Sequence, residues 1–130
     1  MPVSRERSQS LPDQGFAHTA TVTAGSLLFT TGVAPIDAEG AITPPGDVQG
    51  QTRQCLANLT TILDERGAGL ADVAKLTVFV AERLQVDLVV AWEAVVEAFG
   101  DEVPPASLVG VTVLPLDDQV VEIEAVAALS

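Results

Sequence analysis

Only two stretches of this chain carry an apolar repeat of helical period, and extended segments surround both. In the first, Val48, Cys55, Leu59, Ile62 and Leu63 share one stripe, with Thr52 filling the gap. Asp47 precedes it as an N-cap, because its carboxylate can accept the free N–H groups of a first helical turn. Gly67 ends it. In the second, opening near Asp87, a wide apolar face combines Leu88, Ala91, Trp92, Val95, Val96 and Phe99, and Gly100 closes it. Extended segments are predicted at 19–22, 26–31, 72–80, 108–114 and 120–127, with turns at Ala24-Gly25 and Asp117-Asp118 and a short hairpin around Glu39-Gly40. The order is β-β-α-β-α-β-β: an α+β fold with a mixed β-sheet and two helices on one face. Two helices cannot cover both faces of such a sheet. The other face is expected to carry Val, Ile and Leu and to be buried by another chain.

Residues 1–14 are polar and expected to be a flexible N-terminal segment, with a single domain over 15–130. That segment has no apolar core of the signal-peptide kind, and no run of apolar residues reaches membrane-span length. The expected compartment is cytoplasmic.

Charge narrows the partners. The chain has 18 Asp and Glu against 6 Lys and Arg, a net charge of -12. No Lys or Arg follows Arg83, whereas nine acids do. A phosphate backbone or an anionic lipid surface must be met by cations, so neither nucleic acid nor membrane is an expected partner. The single Cys55 excludes an intrachain disulfide and a Cys-based zinc cluster. It lies on the apolar stripe and reads as a small buried hydrophobe. One His leaves no nitrogen-rich metal site, and no GxSxG, HExxH, CxxC or Gly-rich phosphate loop is present. Any catalysis is expected to be cofactor-free and metal-free acid–base chemistry.

Three features can carry such chemistry. Glu122 and Glu124, in V-V-E-I-E-A-V-A, project from one face of a strand, with Val121, Ile123, Ala125 and Ala127 on the other. They read either as a solvated, edge-protecting face or as a base beside a pocket. His18 is the one side chain with an ordinary pKa near neutrality, and it reads either as structural or as part of a pocket. Thr30, Thr31 and Gly32 end a strand with hydroxyls and exposed backbone N–H groups, which can hold a carboxylate.

Four stretches, in their order and spacing, carry a family resemblance: GSLLFTTG at 25–32, QTRQCLANL at 51–59, VAKLTVFV at 73–80 and VEIEAVA at 121–127. Over about residues 15–129 the chain resembles the Rid family, also called the YjgF or reactive-intermediate deaminase family. The resemblance implies a chorismate-mutase-like domain, a homotrimer with the sheets around a central barrel, and small-molecule pockets between subunits. It implies hydrolysis of imines and enamines such as 2-aminoacrylate. It places site residues at Glu122, at Thr31 and Gly32, around Phe16 to His18, and at Glu93. The family's carboxylate-binding Arg falls on Ala106, or on Ser107 with the gap moved, and neither is basic. The sequence therefore predicts a cofactor-free hydrolase or deaminase acting on a small imine, enamine or related metabolite other than 2-aminoacrylate. The alternative is a non-catalytic trimeric metabolite-binding protein. The expected catalytic residues are Glu122, which activates water, and His18, which donates a proton. The expected substrate-binding residues are Thr31, Gly32, Glu93, Phe16, Ala106 and Ser107.

Overall fold

The computed structural model describes residues 3–13, 15–23 and 25–130. The strands are β1 (Val3–Glu6), β2 (Thr19–Val22), β3 (Ser26–Phe29), β4 (Val73–Val80), β5 (Ala106–Gly110) and β6 (Val121–Leu129). The helices are α1 (Val48–Asp64) and α2 (Gln85–Phe99). The main sheet has the order β3-β6-β4-β5, and β1 pairs with β2 in a separate two-stranded arm. Within the main sheet β4 and β5 are parallel and the other pairs antiparallel, so the sheet is mixed as expected. α2 supplies the crossover that parallel neighbours need.

Helix α1 begins where the sequence predicts. The Asp47 side chain accepts from the Gly50 N–H, and the helix stops at Asp64, ahead of Gly67 at φ +76°. It buries Cys55, Leu56, Leu59 and Leu63 against the sheet. Leu76, Val78 and Val80 of β4 and Val121, Ile123, Ala125 and Ala127 of β6 form the sheet's side of that core. The alternation in both strands matches the sequence reading.

The other face differs from expectation. It carries Leu27, Phe29, Phe79 and Val109, but also Lys75, Thr77, Ser107, Glu122 and Glu124 in its middle. The fully buried Val, Ile and Leu of β4 and β6 point at the helices and only the half-buried Val126 joins the open face, because period-two alternation lets one strand face be apolar and the other largely polar. The apolar exposure concentrates at the β3 edge, where Phe29 is 70% and Leu27 51% exposed.

Residues 3–6, inside the segment expected to be loose, form β1. Their anchor is Arg5, whose guanidinium donates to the carbonyls of Leu70, Val73 and Glu102 and stacks 5.9 Å from the Phe99 ring centroid. Burial lowers its pKa, and the charges of Glu102 and Asp72 oppose that shift. Three carbonyls that receive a charged donor lose it together in Arg5→Ala. The arm is then expected to exchange its amide hydrogens at least tenfold faster, while the core of β4 and β6 keeps its protection. Of the expected Ala24-Gly25 turn, Gly25 has φ +91°, and Ala24 lies outside the described residues, as do Met1, Pro2 and Gln14. No helix among the described residues is long and apolar enough to cross a membrane.

Candidate active site at the sheet edges

The strand predicted over 26–31 pairs regularly only to Phe29, and the reason is a bulge. Thr30 N–H donates to Ala125 O (3.0 Å), and Val33 and Ile123 exchange both backbone bonds (2.7 and 3.1 Å). Between these rungs the β3 side advances three residues and β6 only two, which is one residue too many for a flat ladder. The Thr30 hydroxyl fills the gap: it accepts from Ala125 N–H (2.9 Å) and donates to Thr31 O (2.8 Å). Among the described residues, the N–H groups of Thr31 and Gly32 have no hydrogen-bond partner.

Glu122 lies against this bulge. A Cβ on Gly32 would sit 2.5 Å from Glu122 Oε2 and 2.6 Å from its Cδ, so only glycine leaves room for the carboxylate. Glu122 is half-buried opposite Phe79 on β4, whereas Glu124 is exposed opposite Thr77. The two glutamates share a face as predicted, yet only Glu122 meets the bulge. Cys55 lies behind β6 with its Sγ 3.7 Å from Val121 O. Burial, and secondarily the Glu122 charge, push its thiol pKa up, so it stays a neutral thiol.

The other candidates gather near β5, at the opposite edge. The half-buried Phe16 ring lies 5.7 Å from His18 and stands edge-on to Trp92 at 6.0 Å. Ala106 lines a pocket with Phe16, Trp92 and Leu108. Ala17 N–H donates to Val103 O, which holds this segment beside the start of β5. His18 Nδ1 accepts from Ser8 N–H (3.0 Å), so the neutral ring carries its proton on Nε2 and can donate it. Glu93 is exposed on α2, next in sequence to Trp92.

Ser107 alternates to the open face, where Lys75 Nζ reaches its hydroxyl at 2.9 Å. The stretch after residue 83 has no cation of its own, but β4 brings one to the β5 edge. Sequence reasoning missed Lys75 because it looked for the charge along one strand rather than across the sheet. The alternation of Leu76 and Thr77 did place Lys75 on the open face.

Within one chain the predicted residues therefore form two groups. Thr31, Gly32 and Glu122 belong to the β3–β6 edge; Phe16, His18, Ala106 and Ser107 belong to the β5 edge. Strand β6 stands two strand spacings from β5, roughly 10 Å. Among the described residues no group of three or more His, Cys, Asp or Glu is placed to hold a metal ion.

The comparisons with known proteins agree with this architecture. The family model described as "Endoribonuclease L-PSP" matches residues 8–129. A RutC family protein of Pyrococcus horikoshii is 37% identical over 110 residues, 85% of each chain. The 2-iminobutanoate/2-iminopropanoate deaminase of Salmonella typhimurium is 37% identical over 105 residues, covering 79% of this chain and 80% of its own. Among solved structures, YyfB of Yersinia pestis, described as a protein of unknown function of the conserved Rid protein family, has a TM-score of 0.90 at 28% identity. It covers 99% of this chain and 100% of its own.

Proposed function

The chain belongs to the endoribonuclease L-PSP family, also called the Rid family, and on that premise we propose that it hydrolyses small 2-imino acids of the 2-iminopropanoate type to the 2-oxo acid and ammonia. This corrects the expectation of a substrate other than 2-aminoacrylate, the enamine tautomer of 2-iminopropanoate. The finding that overturns it is the set of relatives named 2-iminobutanoate/2-iminopropanoate deaminase, 35–37% identical over 105 residues. The exclusion gave decisive weight to the absence of a basic residue at 106 or 107, on the ground that neither Ala nor Ser replaces a bidentate Arg. Unpaired backbone N–H groups also bind carboxylates, and Lys75 brings a cation close to Ser107. The net charge of -12 weighs against RNA as the substrate.

The observation that carries the reading is the Glu122 carboxylate packed into the space that Gly32 leaves free, on the bulge that carries the unpaired N–H groups of Thr31 and Gly32. The N–H groups hold the substrate carboxylate. Glu122 takes a proton from water as its oxygen bonds to the imine carbon. His18 Nε2–H protonates the nitrogen as the C=N π bond opens, giving a tetrahedral carbinolamine. Glu122 then passes the water-derived proton to that nitrogen while the hydroxyl returns a proton to His18 Nε2, so that the C–N bond breaks, the C=O bond forms and ammonia leaves. A small imino acid does not span the distance between the two edges of one chain. The reading therefore takes the protein as a homotrimer in which the β3–β6 edge of one copy meets the β5 edge of another. The exposed Phe29 and Leu27 support burial of the β3 edge.

The test is imine decay. With 2-iminopropanoate generated in situ by an amino-acid oxidase acting on alanine and trapped with semicarbazide, the protein is expected to compete with the trap and lower semicarbazone formation. Unchanged semicarbazone formation at micromolar protein overturns the reading. Light scattering is expected to give three times the chain mass. Gly32→Ala supplies a separate check. The added methyl displaces the Glu122 carboxylate, an end-group that can swing away, so stability is expected to change by less than ~1 kcal/mol. Turnover is expected to fall by about 10²-fold, since a displacement near 1 Å costs that much.

A further inference from the structure

The pocket at the β5 edge has a property that hydrolysis of the smallest imino acids leaves unused. Phe16, Trp92, Ala106 and Leu108 line an open cleft of about 260 Å³, and the Trp92 indole N–H is the one polar group on their side chains. Ala106 and Leu108 are two apart on β5 and face the helix layer, opposite Leu76 and Val78 of β4. Trp92 comes from α2, and Phe16 meets its ring at 90°. The small methyl of Ala106 leaves the space open.

Size and chemistry define the occupant. An apolar cavity of about 150 Å³ already holds benzene, so this pocket has room for a phenyl ring. A carboxylate placed there would lose part of its hydration and find no cation and at most one donor, the Trp92 indole N–H, among the four side chains. An aromatic ring finds Phe16 and Trp92 in the edge-to-face geometry that aromatic groups prefer. The polar end of such a ligand lies toward His18, 5.7 Å from the Phe16 ring. We propose that the Phe16–Trp92–Ala106–Leu108 pocket is a specificity pocket for the phenyl side chain of an aromatic 2-imino acid. The reaction assigned to that ligand rests on the deaminase reading; the binding site does not.

The chain has one Trp and no Tyr, so its intrinsic emission reports on Trp92, inside the pocket. Titration with 3-phenylpropanoate is expected to change that emission saturably, and propanoate over the same range is expected to leave it unchanged. Leu108→Phe fills the pocket and is expected to weaken 3-phenylpropanoate binding at least tenfold. Ala106→Leu serves the same purpose if circular dichroism shows Leu108→Phe misfolded. No saturable response to 3-phenylpropanoate, an equal response to propanoate, or unweakened binding by the filled variant overturns the pocket.

The enzymatic arm compares imines made in situ from phenylalanine and alanine, with kcat/KM expected to be at least tenfold higher for the first. Hydrolysis of the alanine-derived imine without 3-phenylpropanoate binding overturns the pocket and leaves the deaminase reading standing. Binding of 3-phenylpropanoate without hydrolysis of either imine does the reverse. Hydrolysis of both at equal kcat/KM overturns the specificity.

Discussion

Glu122→Gln is expected to lower the hydrolysis of 2-iminopropanoate by about 10²- to 10⁴-fold, the usual contribution of a positioned general base. The substitution keeps the size of the side chain and its place against Gly32, where no Cβ competes for the space. It removes only the capacity to accept a proton. Val121 and Ile123, on either side of it, are fully buried in the core, so the strand's register does not depend on the charge. Thermal stability and oligomer mass should therefore stay unchanged. The semicarbazide competition assay reads the loss directly. Turnover within threefold of the parent protein would remove Glu122 from the mechanism, and a shifted oligomer mass would show a structural role instead.

Gln51→Leu is expected to destabilise the fold by about 3–5 kcal/mol, toward the top of the range for single substitutions. Gln51 is fully buried, and all of its hydrogen-bonding capacity is used. Its Nε2 donates to Pro44 O (2.9 Å) and Asp118 O (2.7 Å); its Oε1 accepts from Val120 N–H (2.7 Å) and Val121 N–H (3.2 Å). One side chain thus ties α1 to the loop before it and to the turn that launches β6. Leucine matches its volume but leaves the Val120 and Val121 N–H groups without a partner and Pro44 O and Asp118 O with only the Asp47 N–H (3.4 Å) and Gly46 N–H (3.2 Å), at roughly 1–3 kcal/mol for each buried group left unsatisfied. Urea denaturation is expected to move the midpoint down by about 1–3 M at constant slope. A loss below 1 kcal/mol would mean that water enters and replaces the amide.

Both residues bear on what was readable in advance. Glu122 stands out on the linear sequence because a carboxylate in an apolar strand is anomalous, and the family resemblance is what favours it over Glu124. The bulge at Thr31 and Gly32 then gave that choice a geometric counterpart. Gln51 does not stand out, because Thr52 beside it takes the polar place on the helix stripe. A buried polar residue inside an amphipathic repeat looks like an exposed one until its partners are known. The polar middle of the open sheet face was likewise missed, although the alternation in LTVFV and VEIEAVA already contained it.

What the chain determined by itself is local: the period of α1 and α2, the Asp47 cap, the stop before Gly67, and the alternating faces of β4 and β6. These depend on neighbours within a few residues, where side-chain direction follows from backbone geometry. The tertiary structure alone decided the strand order, the Arg5 anchor, the Gln51 cross-link, the delivery of Lys75 to Ser107 and the pocket left by Ala106. Arg5 reaches Val73 across 68 positions, Gln51 reaches Val120 across 69, and Lys75 reaches Ser107 across 32. Hydrogen bonds over such separations exist only after the chain has closed on itself, so no periodicity in the sequence announces them.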